Sequence, residues 1–282
     1  MIYISTGGFG KKSGYNLVKI LLNHGIKNIE LSGGLHQKKH LESLKRIKGV
    51  NFKIHNYFPP PEKPFVFNLA SEDPDIIKLS IQHAKTAMRW ALELDTPMYS
   101  FHAGFLMDPD VSQLGKKIFR KNLFNRKHAI VSFIERVNDL DDYAKNLGVS
   151  LLIENNVLSK NNYIEFGDNP FLMATSHECK EVMNNTSSNV NLLVDVAHLK
   201  VSSNSLSFDP VQFLKDCNNW IKAYHFSDNN GEKDSNEIVK DDSWFWPYIK
   251  KDLDYYTLEV YEEDINILLE QLRTTKKCIA ND

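Results

Sequence analysis

Seven imidazole and carboxylate side chains stand at or near the ends of short apolar runs: His55, His102, Glu154, Asp195, His198, His225 and Glu259. Their runs read NFKIH, PMYSFH, VSLLIE, LLVDVAH, IKAYH and TLEVY, and Glu30 holds a comparable place in IKNIELS. Imidazole nitrogens and carboxylate oxygens together are the usual donors for a divalent ion; Zn2+ suits a histidine-rich set, Mn2+ or Mg2+ a carboxylate-rich one. The stretch LLVDVAHLKVS, residues 192 to 202, otherwise looks like a strand buried on both faces. An unpaired ionised carboxylate is too costly to keep in such a place, so Asp195 requires a cation, a donor or a metal as its partner.

Each of these residues has a plainer reading when taken singly. A lone histidine at a strand end is more often a hydrogen-bonded structural residue, and a lone glutamate more often a rim charge facing water. Convergence changes that weighting, provided the fold points the strand ends at one place. The other histidines, His24, His36, His40, His83, His128 and His177, fall in helices or at their ends, and most are expected to be solvated.

The elements that must supply the convergence alternate along the whole chain. Strand-like runs open at MIYIST, IKNIELSGG, NFKIHNYF, PMYSFHAGF, VSLLIENN, VNLLVDVAH, IKAYHFSDN and YYTLEVY. Helical periodicity follows each: GYNLVKILLNHG, HQKKHLESLKRIKG, residues 73 to 95, residues 125 to 147, SHECKEVMNN, DPVQFLKDCNN, SWFWPYIKKDL and EEDINILLEQL. Continuous apolar strands each followed by a helix imply parallel strands covered on both faces, and eight such pairs close into a barrel. The predicted fold is therefore an α/β (β/α)8 TIM barrel, one domain over residues 1 to 282, with function at the C-terminal ends of the strands. PPPEKP at 59 to 64 reads as a stiff rim loop, KRIK at 45 to 48 as the wet face of a helix, and SWFWP as packing of the seventh helix.

Composition narrows the classes. A formal charge of −2 in 282 residues and a pI near 6.6 provide no bulk positive field for nucleic acid or an anionic membrane. Cys179, Cys217 and Cys278 lie far apart, which suits reduced thiols in a cytoplasm better than disulfides or a zinc knuckle. The first residues lack a secretory leader, and no apolar run approaches the ~20 residues that span a bilayer. The expectation is a cytoplasmic protein with no membrane partner.

IELSGG, FHAG, LLIEN, LLVDVAH, HFSDNNGEKD and LEVY, in that order and spacing, resemble the xylose isomerase-like barrel superfamily. That superfamily holds sugar isomerases, ketose epimerases, inosose dehydratase-like proteins and abasic-site nucleases of the endonuclease IV type. The resemblance implies one divalent ion on Glu154, Asp195, His225 and Glu259, with the two glutamates also moving a proton beside a carbonyl. It implies a substrate contact for His198, and Lys200 and Lys233 are further candidates for holding hydroxyls or a phosphate. The nuclease branch adds two histidines, matched by His55 and His102, and an Asp-x-His matched by Asp234 up to its last residue, which here is Asn236. An amide is a poor zinc ligand, so the third ion, on His198 and Asp234, is in doubt; two ions sharing Glu154 remain. The reading preferred is a metal-dependent isomerase or epimerase of a sugar or sugar phosphate, and the alternative is a zinc phosphodiester hydrolase acting on abasic-site DNA. Asn236, the near-neutral charge and the scarcity of arginine near the strand ends weigh against the alternative.

Overall fold

Every strand alternates its side chains between two apolar environments, which is why each run reads as almost continuously hydrophobic. The computed structural model describes residues 1–9 and 12–280. Its strands are β1 (Ile2–Ser5), β2 (Asn28–Ser32), β3 (Asn51–His55), β4 (Met98–His102), β5 (Ser150–Glu154), β6 (Val190–Asp195), β7 (Ile221–Phe226) and β8 (Tyr255–Leu258). They pair in parallel in chain order, and β8 returns to β1 to close the barrel. One face of each strand, with Ile29, Ile54, Phe101, Ile153, Val194 and Phe226, packs outward in the main core. The other face points into the cylinder. There Tyr3, Leu152, Leu193, Ala223 and Tyr255 form an apolar plug, and two residues further along each strand the inward side chains become polar.

The helices are α1 (Gly14–Asn23), α2 (His40–Lys45), α3 (Pro74–Glu93), α4 (Arg126–Leu147), α5 (Lys160–Phe166), α6 (Ser176–Asn184), α7 (Val196–Leu206), α8 (Pro210–Cys217) and α9 (Ile265–Ala280). Capping residues set their starts. Ser13, Asp73, Asn125 and Asp209 each accept a backbone N–H of the first turn, and Pro74 and Pro210 occupy the first turn, where no donor is needed.

The barrel and its strand order agree with the sequence reading, and two local expectations are corrected. The segment 192–202 is not one strand: β6 stops at Asp195, and α7 starts at Val196, with the Asp195 carboxylate accepting His198 N at 2.7 Å as its cap. SWFWPYIKKDL forms turns instead of a helix. Its Phe245 and Trp246 are buried and pack on Phe226 of β7 at centroid distances of 5.3 and 5.0 Å, and Pro247 cannot donate to a helical ladder. The extra α5 and α7 follow β5 and β6. Of the remaining histidines, His24, His36, His128 and His177 are exposed, as expected of most of them, and His40 and His83 are buried. Among the described residues no helix is long and apolar enough to cross a membrane.

Candidate metal centre

The polar layer gathers at the C-terminal mouth. Donor atoms of Glu154, Asp195, His225 and Glu259 all lie within 4.8 Å of one another, as do those of His55, His102 and Glu154, so Glu154 belongs to both groups. Glu154 Oε2 stands 3.2 Å from His55 Nε2 and 3.1 Å from His102 Nε2. Its Oε1 stands 3.4 Å from His198 Nδ1 and 3.5 Å from His225 Nδ1. Glu259, just past the end of β8, approaches His225 Nδ1 at 2.8 Å with Oε2.

Backbone locks hold these strand ends in register. Asn155 accepts Asp195 N at 2.8 Å and donates to Asp195 O at 3.2 Å, tying the end of β5 to the end of β6. Asn156 donates to Ala103, Gly104 and Leu172 carbonyls, fixing the loop after β4. The imidazoles are oriented in the same manner. A backbone carbonyl only accepts, so the 3.0 Å bond from His198 Nδ1 to Asn155 O turns Nε2 toward Asp234, at 3.3 Å. His55 Nδ1 meets Ser100 Oγ at 2.9 Å, leaving its Nε2 for Glu154.

Electrostatics shows a crowd of acids short of positive charge. Burial, then repulsion from Glu154, Asp234 and Glu259, pushes Asp195 up to about 7 against the pull of His198. Burial likewise raises Glu259 despite His225. Burial also opposes ionisation of Glu154, but the surrounding His102, His225 and His55 hold it well below the usual carboxylate range. Burial drives His55 down to about 3, the neutral form a metal ligand needs. His198 and His225 are raised in spite of burial, by Asp195 and Asp234 in the first case and by Glu30, Glu154 and Glu259 in the second.

The donor set fits a divalent ion on one further observation. Asp195 Oδ2 and Asp234 Oδ1 are buried with no hydrogen-bond partner among the described residues, a costly state that a cation would relieve. Among the same residues the buried Glu154 oxygens meet only imidazole nitrogens, which could themselves ligate an ion. Space is kept as well: a Cβ at Gly7 would stand 3.2 Å from Glu259 Oε1.

Above the cluster lies a cavity of about 510 Å3. His55, His102, His198, Asp234 and Glu259 reach its floor, and Lys233 stands on its wall with Lys116 and Lys117. Lys200 does not line it. Its Nζ is engaged by Asp228 Oδ1 at 2.6 Å and by Asn229 O, so the structure places Lys200 against the loop after β7 and not among the cavity residues. Asn236 is likewise committed: its Nδ2 donates to Glu259 O at 3.1 Å. Glu30 sits two residues before the end of β2 and not at it, fully buried beneath the mouth. The aromatic walls, Tyr57, Phe67, Phe105, Phe171 and Tyr261, escaped sequence reasoning, because they come from loops with no periodicity to betray them.

The chain belongs to the family described as xylose isomerase-like TIM barrel, whose model matches residues 11–256. Among solved structures it is similar to a D-tagatose 3-epimerase-like protein, at 17% identity and TM-score 0.75 over 99% of this chain and 96% of that one. It is also similar to a Thermus thermophilus protein soaked with ZnCl2, at 18% identity and TM-score 0.67 over 98% of both chains. A third is D-psicose 3-epimerase with D-tagatose from Clostridium cellulolyticum, at 13% identity and TM-score 0.62 over 98% of this chain and 97% of that one. No curated protein matches the sequence.

Proposed function

We propose that the protein is a divalent-metal-dependent isomerase or epimerase of a small sugar or sugar phosphate, acting by proton transfer at the carbon beside a carbonyl. The observation that carries this reading is the placement of two buried glutamates, Glu154 and Glu259, against the same atom, His225 Nδ1, at 3.5 and 2.8 Å under a small cavity. Glu154, Asp195, His225 and Glu259 would hold the ion, Zn2+ or Mn2+, and His55 and His102 with Glu154 a second. A divalent ion there supplies Lewis acidity toward the sugar's carbonyl and neighbouring hydroxyl.

The chain's own residues do the rest. One glutamate takes the proton from the carbon as its C–H electron pair forms a C=C bond to the carbonyl carbon and the carbonyl π pair moves onto oxygen. The other returns a proton to the opposite face of the same carbon as the carbonyl re-forms, or to the former carbonyl carbon as a hydroxyl proton passes between the two oxygens. His198, held by Asp234, and Lys233 bind hydroxyls or a phosphate at the wall. The aromatic side chains exclude water. Three buried cysteines with no disulfide accord with a cytoplasmic enzyme.

The His55–His102–Glu154 group favours a second reading, zinc phosphodiester hydrolysis, since two bridged ions suit phosphate. Against it stand Asn236, spent on Glu259 O, and a cavity whose lining includes no arginine among the described residues. The deciding assay incubates protein loaded with Zn2+ or Mn2+ in D2O with a panel of ketoses and ketose phosphates, and separately with abasic-site DNA. Deuterium entering the carbon next to the carbonyl is the expected result. DNA cleavage without such exchange would overturn the proposal.

A further inference from the structure

We infer that Glu30 is the positioning residue of the metal centre: it holds the Nε2–H of His225 and so commits Nδ1 to the ion. This rests on the metal reading above and adds a residue outside both donor groups. Glu30 lies in the cylinder, with Oε2 2.9 Å from His225 Nε2 and 2.8 Å from Thr257 Oγ1. Tyr255 donates to the same oxygen through its hydroxyl. An ionised carboxylate only accepts, so Nε2 carries hydrogen toward Glu30. Nδ1 also faces carboxylates, but those belong to the donor group, so its hydrogen is the one an ion there would displace while Glu30 keeps the other in place. The opposite nitrogen then faces Glu259 at 2.8 Å and Glu154 at 3.5 Å, among the donors that converge.

The arrangement joins three strands, β2, β7 and β8, across 195 residues between Glu30 and His225. Beneath it lies the buried plug with Tyr3, Leu193 and Ala223. Thr257 and Tyr255 restrain Glu30 in turn, so the carboxylate is fixed before it fixes the ring. His55 is held more weakly by comparison, because its partner is the neutral Ser100 hydroxyl. Side chains that anchor the far nitrogen of a ligating histidine typically govern 10–100-fold in metal affinity.

The test uses the whole chain, 15N-labelled, with Zn2+ as probe. Two quantities are read: the imidazole Nε2–H resonance of His225 in the metal-free protein, and Zn2+ affinity by competition with a chelator. Wild type should show a slowly exchanging Nε2–H. Glu30→Leu should lose that signal and bind Zn2+ roughly 10–100-fold more weakly. Glu30→Gln keeps an acceptor oxygen and should retain the signal, with a loss below about tenfold. A purely structural Glu30 would change melting but neither quantity. An unaltered resonance in Glu30→Leu, or an affinity within about threefold of wild type, overturns the inference. Should Glu30→Leu fail to fold, Glu30→Asp draws the carboxylate back by one methylene and must broaden the resonance and weaken Zn2+ by at least about fivefold; unchanged values overturn it equally. If wild type takes up no Zn2+, the metal reading fails, and the resonance alone decides Glu30.

Discussion

Glu154 is the side chain on which the site turns, since both donor groups include it and four histidines approach its two oxygens. Glu154→Gln preserves volume but removes the charge and the capacity to take a proton. It should lower turnover by roughly 10²-fold or more while the circular dichroism spectrum stays that of the wild type; near-normal rates would refute its role. Histidine burial supplies a second prediction. His40 Nε2 accepts Tyr15 N at 3.1 Å, so protonating it would cost that bond. Burial first, and the neighbouring His36 second, bring His40 down to about 4. Between pH 6.5 and 4 the unfolded chain gains a proton there that the native state refuses, so stability falls as pH drops through this window. The loss amounts to about 3 kcal/mol and is complete below roughly pH 4. In His40→Gln the urea midpoint should depend on pH less steeply, by about one proton; an identical slope would contradict this. The ligand-type residues were legible because each closes an apolar run that must enter a core. The pairing of Lys200 with Asp228 was not legible, because Asp228 lies on another strand's loop and spacing along the chain says nothing about such a pair.

The element that matters most is the junction of β6 and α7, where Asp195 ends a strand, caps a helix and joins the donor group at once. Its Oδ1 bonds His198 N, whereas Oδ2 has no hydrogen-bond partner among the described residues. The two duties can be separated. Asn caps as well as Asp, so Asp195→Asn should keep most of the stability while weakening metal uptake. Asp195→Ala loses the cap too, and should melt below the Asn variant by about 1 kcal/mol of stability. Equal melting of the two in metal-free protein would show that the cap contributes nothing. This junction was hidden in the sequence because VAHLKVS is short and apolar, and such a run fits a buried strand and a buried helix equally well. The absent seventh helix was hidden for the converse reason: Trp244, Phe245 and Trp246 satisfy a helical pattern, yet they lie in turns that pack on Phe226.

For the molecule as a whole, the barrel was readable from the alternation of strands and helices, and the two donor groups follow from its closure. Loops carry no such rule. The cavity walls therefore had to be seen. A ligand that binds only the native state stabilises it by mass action, by about 2.7 kcal/mol at a hundredfold excess over its dissociation constant. Zn2+ or Mn2+ at that excess should raise the melting temperature by roughly 5 °C, with the rise reversed by a chelator and much reduced in Glu154→Gln. A melting temperature indifferent to both would count against the site.

The aromatic and lysine walls come from loops, while Glu154 and His225 ride on strands whose other faces are locked into the core. Shape and chemistry are thus encoded by different stretches of chain. Exchanging residues 105, 116 or 171 should change which molecule is accepted and leave the reacting groups where they are, so a new specificity can be reached without rebuilding the reaction.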